Sequence, residues 1–271
     1  TVVREWAGTA GSITDGDYLY RIGNAFTEGS DIGDPNMRKL DVVENNTQIL
    51  RTPYSVTNTN QQSKHYSGNQ LRRRRQEARY EHVVAMETSV MFGKKAATGT
   101  TGDNPRRTCE GLISRITTGG GTVTAVGGAL TEQQFNNFLE TVSRYGSQKK
   151  FLLASPKMVT VLDTYGRNRL QGNEGMTKKL GLKCSDYMNS HLELTVVKHN
   201  LLEGSKYGGY AVLMDPKYVK WVWMKGRKTA ILRNRQNPGQ DGIVEEMLSE
   251  FSLCVSNPET MGILTGITGA A

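Results

Sequence analysis

Cysteine is scarce: Cys109, Cys184 and Cys254 are the three in 271 residues. They are odd in number, far apart and outside any CxxC pair, which argues against a disulfide framework and a zinc site. They read as reduced, partly buried thiols. No apolar run approaches the roughly 20 residues needed to cross a bilayer, and no basic-then-apolar signal pattern opens the chain. The expectation is a soluble chain of intracellular origin with no membrane partner. Thr1 leads directly into the strand-like TVVREW, so the chain is expected to begin inside a structured region, with a segment missing upstream. The four histidines, His65, His82, His191 and His199, form no HExxH and no i,i+4 pair, so a metal site would need distant residues to converge. GKKAATGTTG lacks the GxxxxGK[ST] order and GGGTVTAVGG lacks GxGxxG spacing, which leaves both as flexible loops and not phosphate cradles. There is no GxSxG elbow. The residues therefore give no support for catalysis, a metal, a cofactor or a small-molecule substrate.

What is present is a chain with 37% hydrophobic residues, enough for a packed core, and a net charge of +8 from 34 Lys and Arg against 26 Asp and Glu. That excess favours an anionic partner such as nucleic acid. Charges of both signs run through most of the chain, so a merely solvated surface has equal standing.

Residues 1 to 60 are β-rich, in the runs TVVREW, DYLYRIGNAF and NNTQILRTPYSVT. The polar EGSDIGDPNMRK between the last two predicts a long hairpin with an exposed tip, stabilised only by lying on something else. Pro53 in the returning run suits an edge strand. NNT at Asn45 matches a glycosylation sequon by chance. From Gly68 to Phe92 the pattern turns helical, with Leu71, Ala78, Ala85 and Phe92 at sevens and His82 on the same stripe as a satisfied core or interface residue. Such a helix is roughly 36 Å long and ends at Gly93. Within it, Arg72, Arg73, Arg74 and Arg75 point about 100° apart, which favours ion pairing with Glu77, Glu81 or a neighbouring subunit over one shared phosphate groove. Arg106 and Arg107 fall in a loop, open to a carboxylate on another chain or to solvent.

Thr131 opens a helix with a capping box to Gln134 and an apolar face of Phe135, Phe138, Leu139, Val142 and Tyr145, stopped at Gly146. FLLA at 151 to 154 is a short buried strand. Ser155 and Pro156 start a helix carrying Met158, Val159, Leu162 and Tyr165, ending near Gly166. The last third is strands: HLELTVVKH, GGYAVLMD, KYVKWVWMKG, KTAILRNRQ, MLSEFSLCVSN and TMGILTGI. In MLSEFSLCVSN, the alternation of Met247, Phe251, Leu253 and Val255 with Leu248, Glu250, Ser252 and Cys254 predicts a half-buried strand. The class is α+β.

Six ordered blocks, YRIGNAFTEGSD, NNTQILRTPYSVT, MFGKKAATGTTGDNPRRTCEGLISRI, GGALTEQQFNNFLETVSRYGSQKKFLLASP, LLEGSKYGGYAVLMDPKYVKWVWMKGRKT and PETMGILTGI, resemble the successive blocks of tailed-bacteriophage major capsid proteins. The resemblance runs from about Tyr18 to Ile267. It implies the Hong Kong 97-type (Johnson) fold: an N-terminal segment at 1–25, an extended hairpin loop at 26–60, a peripheral domain at 61–108 with its spine helix at 68–92, a mainly axial domain at 109–215, and return strands to the peripheral domain at 216–271.

The resemblance further implies a non-enzymatic shell protein assembled in the host bacterial cytoplasm. Its partners would be many copies of itself in hexamers and pentamers, double-stranded DNA on the inner face, and portal and cement proteins. Asp34, Arg38, Lys39, Arg72 to Arg75, Arg106 and Arg107 are the candidate intersubunit contacts, and Gly93, Gly99, Gly102, Gly119, Gly120 and Gly121 the candidate hinges. The stretch from Ser89 to Ile113 would be an adaptable crossing between domains. Lys39 and Asn257 are imaginable partners for a covalent cross-link. An encapsulin-like compartment shell and a non-specific nucleic-acid-binding protein are the alternative readings.

Overall fold

The computed structural model describes residues 27–31, 42–64, 66, 68–99, 104–169, 178–179, 182–188 and 191–271. The chain divides into two compact units, Thr1–Val43 and Glu44–Ala271. In the first, Ser30 N donates to the Thr27 carbonyl at 3.1 Å, closing a turn. The N-terminal segment 1–25, the outgoing run expected at 17–26, and Asp34, Arg38 and Lys39 lie outside the described residues.

The second unit runs β1 (Gln48–Val56), α1 (Asn58–Gln62), α2 (Gln70–Phe92), β2 (Ala96–Thr98), β3 (Arg106–Thr108), α3 (Leu112–Thr118) and β4 (Thr122–Leu130). It continues with α4 (Glu132–Ser143), β5 (Lys149–Ala154), α5 (Pro156–Arg169), β6 (Lys178–Lys179), β7 (Leu182–Met188) and β8 (Glu193–Lys198). Then come α6 (Gly204–Tyr207), β9 (Ala211–Met214), β10 (Val219–Trp223), β11 (Ala230–Leu232), β12 (Ile243–Val255), a 3-10 turn at Pro258–Thr260 and β13 (Gly262–Ala270).

Helix α2 starts where the Asn69 side chain accepts from Arg72 N at 3.1 Å, satisfying one of the free donors of its first turn. Its 23 residues span roughly 34 Å at 1.5 Å each. The buried stripe is Ala78, His82, Met86 and Met91. Ala85 and Phe92, expected on that stripe, are only half-buried. A repeat of seven drifts around a straight helix of 3.6 residues per turn, so the contact line passes to residues four apart.

This helix lies on a sheet in which β12 is central, paired antiparallel with β1 on one side and with β10 and β11 on the other. Pro53 sits in β1, whose only partner strand among the described residues is β12, so its missing N–H breaks no ladder. Tyr54, Ala78 and Met247 pack between helix and sheet near one end, and Met86, Cys109 and Phe251 near the other. Strand β12 is more buried than its alternation predicts: Glu250 and Ser252, on the face away from α2, are 7% and 6% exposed. Arg51 of β1, and Arg227 and Arg235 from the segments on either side of β11, pair with Glu246 and Glu250 on that face.

The second sheet has seven strands in the order β4-β13-β9-β5-β8-β7-β6. β4 with β13 and β5 with β8 are parallel; the other pairs are antiparallel. Both faces are covered, which is why FLLA and AVLM are continuous apolar runs. On one face Leu152, Leu194, Leu213, Leu264 and Ile267 pack against Phe135, Phe138, Leu139 and Val142 of α4 and Met158, Val161, Leu162 and Tyr165 of α5. On the other, Leu153, Val197, Val212 and Ile263 meet Met91 of α2, Leu112 and Ile116 of α3, and Leu253 of β12. Fully burying each such side chain contributes about 1.5–3 kcal/mol. The capping box is present, Thr131 N and Oγ1 bonding the Gln134 side chain and backbone at 3.1 and 3.2 Å.

Several expectations change. TVTAVGGAL is not a flexible stretch but strand β4, nine residues long, held by β13. Helix α5 passes through Gly166 to Arg169. Tyr145 lies beyond α4 and is 57% exposed, off its apolar face. Residues 216–271, expected to return together to one domain, divide: β10, β11 and β12 join the sheet under α2, whereas β13 enters the seven-stranded sheet between β4 and β9. Alternation alone does not choose a partner strand.

Candidate functional site

Among the described residues, the stretch from Ser89 to Ile113 holds the end of α2, an antiparallel strand pair and the start of α3. Gly93 caps α2, its N–H donating to Ser89 O at 2.9 Å, and Gly111 N donates to Gly93 O at 2.9 Å. A Cβ on Gly93 would stand 2.4 Å from Ser89 O and 2.5 Å from Cys109 O, and one on Gly111 would stand 2.6 Å from Gly93 N. The two glycines let the backbones leave and re-enter in contact. Between them β2 and β3 pair antiparallel, placing Arg106 opposite Thr98 and Arg107 opposite Ala97. The two arginines are thus strand residues, corrected from the expected loop. Among the described residues neither guanidinium has an ion-pair partner.

The same close packing bears on the other hinge glycines. A Cβ on Gly119 would lie 2.4 Å from Pro258 Cγ, and one on Gly121 2.4 Å from Ile116 Cγ2, so both positions serve close approach and leave no room for a swivel. Gly120 has φ +85 with Glu259 Cγ 3.8 Å away, and Gly99 has φ +77 with nothing within 4 Å. Gly102 lies outside the described residues.

On the face of its sheet away from α2, strand β12 carries Glu246 and Glu250. Arg51 grips Glu246 with two hydrogen bonds of 2.9 and 2.7 Å, and Arg235 Nε stands 3.4 Å from it. The Arg51 hydrogen bond holds the Glu246 carboxyl below the usual carboxylate range. Glu250 receives Arg227 Nε at 2.8 Å and Thr47 Oγ1 at 3.1 Å. A cleft of about 250 Å³ lies beside it, lined by Thr47, Ile49, Pro105, Arg106, Arg107 and Glu250. Ile49, at 52% exposed, adds an apolar patch to this charged face.

On the face toward α2, Glu245 accepts from Arg75 Nε and Nη2 at 2.7 and 2.5 Å and from Tyr54 Oη at 2.6 Å. The Arg75 hydrogen bond, helped by Tyr54, lowers the Glu245 pKa although burial opposes it. Arg73 and Arg74 meet Glu77 at 2.8 and 3.3 Å. Arg72 alone of the four has no ion pair among the described residues. His82 is 1% exposed and bonded at both nitrogens, to Thr52 Oγ1 at 2.9 Å and Ser249 Oγ at 2.7 Å.

Sequence reasoning missed three polar brackets. Asn45 Nδ2 donates to the carbonyls of Glu110 and Leu253 at 3.1 and 2.8 Å, and its Oδ1 accepts from Glu110 N at 2.8 Å. The residue of the chance sequon thus ties the start of β1 to the Gly111 crossing. Lys150, 2% exposed, donates Nζ to the carbonyls of Val142, Tyr145 and Thr260 at 2.9, 2.9 and 2.7 Å, tying the α4 terminus to the 3-10 turn. Burial lowers its pKa to about 8, with the Asp215 charge pulling the other way. Asp215, fully buried, accepts from Ser147 N and Oγ at 2.7 and 2.8 Å and from Lys217 N at 3.0 Å. No sequence motif marks any of them.

Chemically, this is a set of neutralised charges and exposed contact groups. Among the described residues no cluster of three or more His, Cys, Asp and Glu side chains could hold a metal ion, and no helix is long and apolar enough to cross a membrane.

The family model of the SU10 major capsid protein matches residues 4–268. The chain belongs to the SU10 major capsid protein family. A major capsid protein of Pseudomonas phage PaMx41 is 24% identical over 280 residues, which cover 93% of the chain and 66% of that relative, so the chain spans slightly less than two thirds of the relative's length. The satellite phage P4 procapsid structure, which includes the size determination (Sid) protein, has a TM-score of 0.54 at 12% identity over 96% of this chain and 83% of its own. A Mycobacterium phage Patience structure has 0.52 at 10% identity over 92% and 79%. The holo-SrpI encapsulin of Synechococcus elongatus has 0.58 at 14% identity over 83% and 76%. At these identities the structural likeness shows the fold alone: the family member has the α+β Hong Kong 97-type fold common to phage capsids and encapsulins.

Proposed function

We propose that this chain is the shell subunit of a phage head, acting by self-assembly in pentamers and hexamers around double-stranded DNA in the host bacterial cytoplasm, without catalysis. Portal and cement proteins would complete the particle. The observation that carries this reading is the family match over residues 4–268. In this reading α2 with the β12 sheet forms the peripheral domain, and α4, α5 and the seven-stranded sheet, β13 included, form the axial domain. The extended loop reaches a neighbour through Asp34, Arg38 and Lys39. Arg72, Arg106 and Arg107, without ion pairs among the described residues, supply cations for intersubunit contacts, and closed lattices are made from many such weak heterologous contacts.

The encapsulin reading rests on the likeness to SrpI, which concerns fold and not contents. Negative-stain electron microscopy and sedimentation of the purified chain test the proposal. Closed icosahedral shells or five- and six-fold capsomers are expected. A monodisperse monomer at high concentration refutes it, and closed shells that enclose a protein cargo decide for the encapsulin reading.

A further inference from the structure

The excess positive charge is not spread evenly. Residues 216–240 hold seven Lys and Arg and no Asp or Glu, which accounts for nearly all of the chain's +8. Three of the seven are engaged with buried carboxylates: Arg227, Arg235 and Arg233 stand 2.8, 3.4 and 4.0 Å from Glu250, Glu246 and Glu245. The other four, Lys217, Lys220, Lys225 and Lys228, are exposed and without ion pairs among the described residues.

Lys220 lies in β10, an edge strand of its sheet among the described residues; Lys217 precedes that strand, and Lys225 and Lys228 follow it around the turn closed by Arg227 N and Met224 O. The extended stretch from Lys217 to Trp223, which carries two of the four, is roughly 20 Å long at 3.3 Å per residue, the length of about six phosphates of one DNA strand. Lys217 Nζ lies 5.6 Å over the Tyr218 ring and Lys228 Nζ 6.0 Å over Trp223. Trp221 and Trp223 stack on each other at 5.6 Å and both meet Phe251, which makes the strand a firm base for the charges. The division of labour between the two cations matters. Arginine, which is enriched in protein interfaces, is used up internally here, whereas lysine, depleted there, is left outside as a hydrated point charge suited to phosphate without fixed geometry.

We propose that the Lys217–Lys228 edge of this sheet is a contact for the phosphate backbone of double-stranded DNA, read without sequence preference. It rests on the reading of a DNA-filled shell, and its test does not depend on assembly. The full chain, as unassembled subunit or capsomer, is titrated with a short labelled DNA duplex at several salt concentrations. K220Q/K225Q/K228Q is compared with R79Q/K157Q/K198Q, an equal charge change at exposed sites elsewhere. Each lost phosphate contact flattens the slope of log K against log salt by about 0.9. Between about 50 and 200 mM salt, wild type should therefore lose about 40-fold more affinity than the lysine variant, while the control follows wild type.

Equal losses in both variants would show a net-charge effect and overturn the assignment, as would wild-type binding by the lysine variant. Wild-type DNA binding combined with failed shell formation, scored separately by microscopy, would assign the lysines to an acidic surface of a second copy. Shells that form normally while the lysine variant alone loses DNA affinity support both readings.

Discussion

Replacing Arg75 with Met should remove the largest single electrostatic support of the α2 sheet. Glu245 is 3% exposed at its side chain and Arg75 33%. The variant leaves a buried carboxylate with Tyr54 Oη at 2.6 Å and Arg233 at 4.0 Å as its remaining polar neighbours. Breaking a buried pair by deleting one partner costs about 3–5 kcal/mol. One third of Arg75 is already in water, so the low end applies, about 3 kcal/mol. For a unit of this size that corresponds to a fall in Tm of roughly 6–12 °C. Thermal unfolding of the unassembled chain, followed by circular dichroism, measures it. Arg73→Ala, which breaks an exposed i,i+4 pair on the same helix, should cost no more than about 0.5 kcal/mol. R75M/E245L should recover part of the loss, because no charge is then left buried alone.

The pH dependence has a definite sign. Glu245 is held below the usual carboxylate range in the folded chain, so its contribution is present above the unfolded value of about 4.3 and is lost as pH falls through the folded value. R75M should show less of that acid-side loss than wild type. A cost under about 1 kcal/mol for R75M, or a double variant worse than the single, would refute the reasoning.

Two further outcomes follow from buried geometry. His82 is pushed down by burial, so the folded chain resists protonation and stability should fall as pH drops through about 6.5 toward the folded value; in His82→Leu, Tm measured from pH 8 to 5 should lose that component of the slope. A Cβ on Gly262 would stand 2.7 Å from two ring carbons of Phe138 and 2.9 Å from Val142 Cγ2, so Gly262→Ala should cost about 1–3 kcal/mol in urea unfolding, and F138L in the same chain should return part of it.

Elements whose causes are local were legible in the sequence. The Thr131 capping box, the apolar face of α4 and the Ser155-Pro156 start of α5 each lie within one turn or two of helix. The long helix was also legible, but not its contact line, because the seven-residue spacing of Leu71 to Phe92 belongs to a supercoil that this helix does not join. Partners distant in the chain were not legible. Arg75 finds Glu245 170 residues away, and nothing near RRRR announces it. Glu246 and Glu250 look like the polar side of a half-exposed strand and Glu245 like a stray charge on its other side, yet all three are buried and held by arginines distant in the chain. Asn45, Lys150 and Asp215 are single residues without a pattern, and their roles exist only once α4, the 3-10 turn and the β12 sheet have met.

The place of β13 sets an order of events in time. Among the described residues β4 has no other partner strand in its sheet, and β13 also pairs with β9. Leu264 and Ile267 are part of the core under α4 and α5. Residues 262–270 follow β4 by about 130 positions, so at 5–20 residues per second a ribosome finishes β4 roughly 7 to 26 s before its partner exists. During that interval the sheet can hold β5, β8 and β9 but not β4, and the hydrophobic layer stays open along one side. A chain that stops short of Gly262 therefore never completes the sheet, and the core under α4 and α5 lacks Leu264 and Ile267.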